Sequence, residues 1–112
     1  MVYWNVLSIA TWNKSKFRNN TATKQRRKLA GEIEEFREAM TGKDKLAELA
    51  DVYIASAGLT RFGGSSGVIG AFICDVLDRL DDTGVLKNAV WSKMRINTER
   101  EFDENMHHIG EF

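Results

Sequence analysis

The stretch LAELADVYIASAGL (46–59) decides how this chain is read. At helical spacing, Leu46, Leu49, Ala50, Tyr53, Ile54 and Ala57 cover one side. Ala47, Val52, Ala55 and Leu59 cover much of the other. A helix that is apolar nearly all round is a buried helix. Yet Glu48 and Asp51 sit inside it, three apart and therefore on one face. An isolated buried carboxylate costs several kcal/mol, so such a group is protonated, paired or metal-bound.

Working outward, helices are expected at about 2–17, 24–40, 44–61, 68–82 and 86–106. The first has Val2, Val6, Ile9 and Ala10 at helical spacing, and the second a stripe of Leu29, Ile33, Phe36 and Met40. The fourth has Ile69, Phe72, Ile73, Val76, Leu77 and Leu80 on one face. Thr21 or Thr23 is placed to cap the second helix, and Asp44 to open the third. GGSSG (63–67) reads as a flexible connector, and Thr83-Gly84 as a stop. The 112 residues contain no proline, which suits a chain that is nearly all helix. The expected architecture is all-α: a compact antiparallel bundle of about five helices, one domain over 1–112, completed by dimerisation.

Composition excludes several classes of function. Sixteen basic against sixteen acidic side chains give no net charge, unlike a general nucleic-acid binder. The lone Cys74 excludes an internal disulfide framework and an all-cysteine zinc site. No apolar run reaches the roughly 20 residues that span a bilayer. The start lacks a signal-peptide pattern, so the expected location is the cytoplasm. The charges are unevenly spread. Lys14, Lys16, Arg18, Lys24, Arg26, Arg27 and Lys28 meet no acid before residue 31, and an acid-rich stretch follows. In so short a chain that asymmetry describes a site better than a tail.

The second helix supplies a counterpart to Glu48 and Asp51. Glu32 and Glu35 are also three apart, at the edge of the expected core stripe. If the two helices pack antiparallel, the four carboxylates converge and repel. A hard divalent cation relieves this, with Mg²⁺ the first choice. The competing reading neutralises the acids with buried salt bridges to Arg26, Arg27 or Lys28. Asp75 and Asp78 are a control: the same spacing, but neighbours Arg79 and Asp82 opposite an apolar face, an ordinary exposed stripe.

An ExxE pair, a short turn and then an ExxD pair resemble the MazG-like all-α nucleoside triphosphate pyrophosphohydrolases. The segments here are KLAGEIEEFREAM (28–40) and LAELADVYI (46–54), with KMRINTERE (93–101) similar to the family's later basic segment. The resemblance implies cleavage of a nucleoside triphosphate between the α and β phosphates, yielding monophosphate and pyrophosphate. It implies Mg²⁺ or Mn²⁺, a homodimer or homotetramer, and a role in cleaning nucleotide pools. Glu32, Glu35, Glu48 and Asp51 would hold the metal, with Glu35 also handling the attacking water. Lys93, Asn97 and Arg100 fall on one helical face and would hold the triphosphate, unless they form a solvated face with Glu99 and Glu101. Trp12 or Phe17 could stack on the base, although a helical Trp is more often core. Two further readings compete: a non-catalytic helical interaction module, and a di-iron carboxylate bundle using Glu104 and His107 in an ExxH spacing.

Overall fold

Helix α3 (Gly42–Leu59) is the axis on which α1 (Val6–Lys16), α2 (Ala22–Glu38), α4 (Gly64–Leu80) and α5 (Val85–Asn97) all pack, in a computed structural model that describes residues 4–110. Val52 through Leu59 are all buried, so the all-round apolar reading of this helix holds. One core cluster joins Ile9, Tyr53, Ile54, Ala57, Leu86, Val90 and Met94. A second joins Leu29, Val52, Ala55 and Leu59, with Phe36 and Ile73 packed against it. Each large apolar side chain fully buried here contributes about 1.5–3 kcal/mol.

Local chemistry sets the helix starts. Asn5 and Ser8 form a reciprocal capping box, each side chain accepting the other's backbone N–H at 2.8 Å. Thr21 Oγ1 accepts from Lys24 N at 3.1 Å, and Thr41 Oγ1 from Asp44 N at 3.0 Å. Thr21, not Thr23, is therefore the cap of α2, and Asp44 sits in the first turn of α3. The Asp81 carboxylate accepts from Leu86 N and Lys87 N and so closes the start of α5. The expected contribution of Val2 to α1 lies outside the described residues.

Three sequence expectations need correction. In α2 the buried face is Gln25, Leu29 and Glu32, while Ile33 and Met40 are exposed. The stripe is rotated because the polar Gln25 and Glu32 are the groups turned toward α3. The GGSSG segment is not a connector: Gly64 opens α4 at φ 65°, and the rest forms its first turn. Ser66, Gly70 and Cys74 are the buried positions of α4, and a Cβ at Gly70 would strike the Ser56 carbonyl and press on Leu59. Small residues let α4 lie close on α3, which turns Ile69, Phe72 and Leu80 outward. Finally, α5 ends at Asn97, and a short antiparallel hairpin follows: β1 (Glu101–Phe102) and β2 (His108–Ile109). The Asp103 carboxylate accepts from Asn105 N and His107 N, and Met106 takes φ 64°, which turns the chain back. Asp103–Asn105 is a polar turn signal that the helical reading of 86–106 overran.

Candidate metal centre

The three residues joining α2 to α3 reverse the chain, so the ends of these helices face each other over their length. Glu32 on α2 meets Glu48 and Asp51 on α3, with one carboxylate oxygen of each lying within 4.8 Å of the others. The group lines a cavity of about 460 Å³. Glu35 lines the same cavity but stands outside that close set. Lys93, Asn97 and Arg100 also reach it, although Arg100 lies beyond the end of α5.

Cations offset part of the acid charge. Lys28 Nζ pairs with Glu32 Oε1 at 2.9 Å, and Lys93 Nζ with Asp51 Oδ2 at 3.2 Å. Of the basic trio proposed to neutralise the acids, Lys28 is the one that forms such a bridge among the described residues. Glu32 Oε2 and Glu48 Oε2 are nevertheless buried with no hydrogen-bond donor. A buried acceptor left unmet costs roughly 1–3 kcal/mol, more when charged. Burial pushes the Asp51 carboxyl up to about 6, against the opposing pull of Lys93. Glu35 rises further, to about 7, through desolvation, a hydrogen bond shared with Glu32, and repulsion from Glu32 and Glu48.

These residues fit a hard divalent cation. The donors are carboxylate oxygens on two rigid helices, they crowd within one coordination sphere, and two of their oxygens lack any other partner. Glu32, Glu48 and Asp51 would be the ligands.

Compared with known proteins, the chain matches no family model, no curated protein and no solved structure.

Beyond the acids, the cavity has an aromatic wall. Trp12, Phe17 and Phe102 pack edge to face, with ring centroids 5.1–6.1 Å apart. Trp12 and Phe17 therefore belong to the cavity and to a local cluster at once. The hairpin adds Phe102, Met106, His107 and His108 to the lining. Spacing along a helix does not reveal these positions, because a turn carries them there.

Behind the wall lies a carboxamide network. Gln25 Nε2 donates to Ala55 O at 2.9 Å, Asn20 Nδ2 donates to Gln25 Oε1 at 2.7 Å, and Arg61 donates to Asn13 Oδ1 at 3.0 Å. It ties α1, α2 and α3 together beside the cavity. Gly58 makes room for it, since a Cβ there would lie 2.6 Å from Asn13 Nδ2. The control pair differs from its expected form in one respect. Asp75 is exposed and pairs with Arg79 at 3.1 Å, but Asp78 accepts a hydrogen bond from the Tyr53 hydroxyl at 2.9 Å. Glu104 is exposed and lies outside the cavity lining, so the ExxH pairing with His107 gains no support.

Proposed function

We propose that the chain is a Mg²⁺-dependent nucleoside triphosphate pyrophosphohydrolase, releasing a monophosphate and pyrophosphate, with Mn²⁺ an acceptable substitute. The observation that carries this reading is the Glu32–Glu48–Asp51 cluster with its two partnerless buried oxygens. The order and spacing of the two acidic pairs, which resemble the MazG-like enzymes, add to it. When bound, the cation would screen phosphate charge and lower the pKa of a coordinated water.

The protein's own groups divide the remaining work. Lys93 leaves Asp51 to meet a phosphate once the acid is otherwise neutralised. Arg100, held by Asn97 Oδ1 at 3.4 Å, offers a forked donor set to the same chain of phosphates. Lys28 adds charge from the α2 side. Glu35, with its pKa near neutrality and its place at the edge of the acid cluster, accepts the proton of the attacking water. The aromatic wall excludes solvent and gives the base an apolar surface. Nucleotide-pool cleaning is the biological role this activity would serve.

The two ion pairs favour a second reading, in which the acids are structural and the chain is a non-catalytic helical module. A panel of nucleoside triphosphates incubated with Mg²⁺, with both products quantified, separates the two. Monophosphate and pyrophosphate in equal amounts, lost on chelation, support the enzyme. No turnover of any nucleotide, together with no effect of Mg²⁺ on melting, would sink it.

A further inference from the structure

We infer that Lys93 couples the two ligands of the cavity: it competes with the divalent ion for Asp51 and, once displaced, binds the phosphates, so that each ligand tightens the other. The inference rests on the proposed function and adds to it the order and mutual dependence of binding.

The first reason is where Lys93 comes from. Its Nζ on α5 reaches Asp51 Oδ2 on α3 at 3.2 Å, from 42 positions away in sequence. Lys28 and Glu32, by contrast, are four apart on one helix, where such pairs form without tertiary packing. The Lys93 contact is therefore a product of the fold, made at the acid cluster itself. Yet it does not satisfy the cluster. Four carboxyls line the cavity and, among the described residues, two ammonium groups pair with them. The buried Glu32 Oε2 and Glu48 Oε2 still lack a donor. A single charge at 3.2 Å is a weak match for three converging acids, and a divalent ion with oxygen ligands at about 2.1 Å is a stronger one. The two cations cannot share Asp51 without strong mutual repulsion, so the ion displaces the ammonium.

The second reason is where Lys93 can go. Its side chain is half-buried and lines the same cavity as Asn97 and Arg100. Asn97 follows it by one turn of α5, and Asn97 Oδ1 accepts from Arg100 at 3.4 Å, which holds the guanidinium on the same wall. Lysine suits a contact that must be given up. It is a compact point charge on a flexible stem with three rotatable donors, whereas arginine would grip both Asp51 oxygens in a fork. Before displacement, a phosphate has to compete with Asp51 for the ammonium and face the acids as well. Afterwards it does neither. By linkage, the factor by which the ion tightens phosphate is also the factor by which phosphate tightens the ion.

Titration calorimetry on the full chain tests this, with Mg²⁺ alone and with inorganic tripolyphosphate in a chelated buffer. Lys93→Met keeps most of the side-chain length and removes the charge. It should bind Mg²⁺ about tenfold more tightly than wild type and tripolyphosphate about tenfold more weakly. Opposite signs are the signature. A lysine that only holds phosphate would leave Mg²⁺ binding unchanged, and one that only braces α3 against α5 would weaken both. Asp51→Asn should tighten metal-free tripolyphosphate by about tenfold, because it releases Lys93. Glu48→Gln removes the same charge from the same cluster while the Lys93–Asp51 contact stays, and should tighten it by no more than about threefold. The excess of Asp51→Asn over Glu48→Gln should vanish when Lys93→Met is added. Circular dichroism of each variant should match wild type. A Lys93→Met chain that binds Mg²⁺ no more tightly than wild type, or a gain in Asp51→Asn that is the same with and without Lys93, overturns the inference and leaves the proposed function standing. Binding of neither probe by wild type or any variant sinks both.

Discussion

Helices α3 and α4 each carry two acids three residues apart, and the two pairs have opposite fates. On α3, Asp51 keeps 23% side-chain exposure, and Glu48 has one oxygen fully enclosed. On α4, Asp75 keeps 62% side-chain exposure and a neighbouring Arg79 at 3.1 Å. Spacing alone therefore says little. What separates the pairs is the residue type one turn away: Val52 and Ala55 beside the first pair, Arg79 and Asp82 beside the second. Apolar neighbours pull a carboxylate out of water and leave it in need of a cation. Charged neighbours leave it hydrated.

The largest expected effect is on turnover. Glu48→Gln or Asp51→Asn should lower pyrophosphate release by at least about a hundredfold, as loss of a group that holds the metal and so positions the reacting water does. Far-UV circular dichroism should be unchanged. Asp75→Asn should retain wild-type turnover. Equal losses at Asp51 and Asp75 would erase the contrast between the helices.

Next in size is the response to metal. Saturating Mg²⁺ should raise the melting temperature by roughly 5–10 °C if it binds the folded state alone. Asp51→Asn should remove most of that shift, and Asp75→Asn none of it. Calorimetry of the three proteins with and without chelator makes the comparison.

Proton linkage sharpens it further. Asp51 and Glu35 are raised to about 6 and about 7 from ordinary values of 3.8 and 4.5. Between about pH 4 and pH 7 the folded, metal-free chain thus binds more protons than the unfolded one. Stability is fullest below that window and is lost as pH rises through it. The melting temperature in chelator should fall from about pH 5 to pH 8, and the shift given by Mg²⁺ should grow over the same range. Glu35→Gln should flatten the slope, and Asp75→Asn should leave it as it was. A melting temperature that rises with pH in chelator would mean that these acids are well solvated.

The smallest effect tests α4 from the other side. Tyr53→Phe removes the hydroxyl that donates to Asp78 and should cost about 1 kcal/mol of stability. Urea unfolding measures this. An unchanged midpoint would make Asp78 as idle as Asp75.

Much of the fold was open to a sequence reading, because helical periodicity and the lack of proline report on local structure. The α3 burial and the meeting of Glu32 with Glu48 and Asp51 follow from residues close in sequence. Two things were hidden. Apolar content alone misplaces part of the buried faces of α2 and α4, although Leu29, Phe36, Ile73 and Leu77 do face the core. In α2, Gln25 and Glu32 face inward to build the network and the acid cluster, so Ile33 is displaced outward. In α4, glycine and serine permit close approach, so Ile73 and Leu77 pack inward while Val68, Ile69, Phe72 and Leu80 remain outside. The second hidden element was the hairpin. Lys93, Asn97 and Arg100 share a helical face on paper, and extending that face past Asn97 obscured the turn that brings Phe102 and Met106 back to the cavity.

That hairpin separates two duties along the chain. The acids stand on α2 and α3, whereas part of the enclosure comes from a strand pair held by the seating of Met106 and by the ring contacts of Phe102. Change within residues 102–108 can reshape the chamber without disturbing the acid cluster on α2 and α3. Under the proposed function, selectivity would be free to change faster than reactivity.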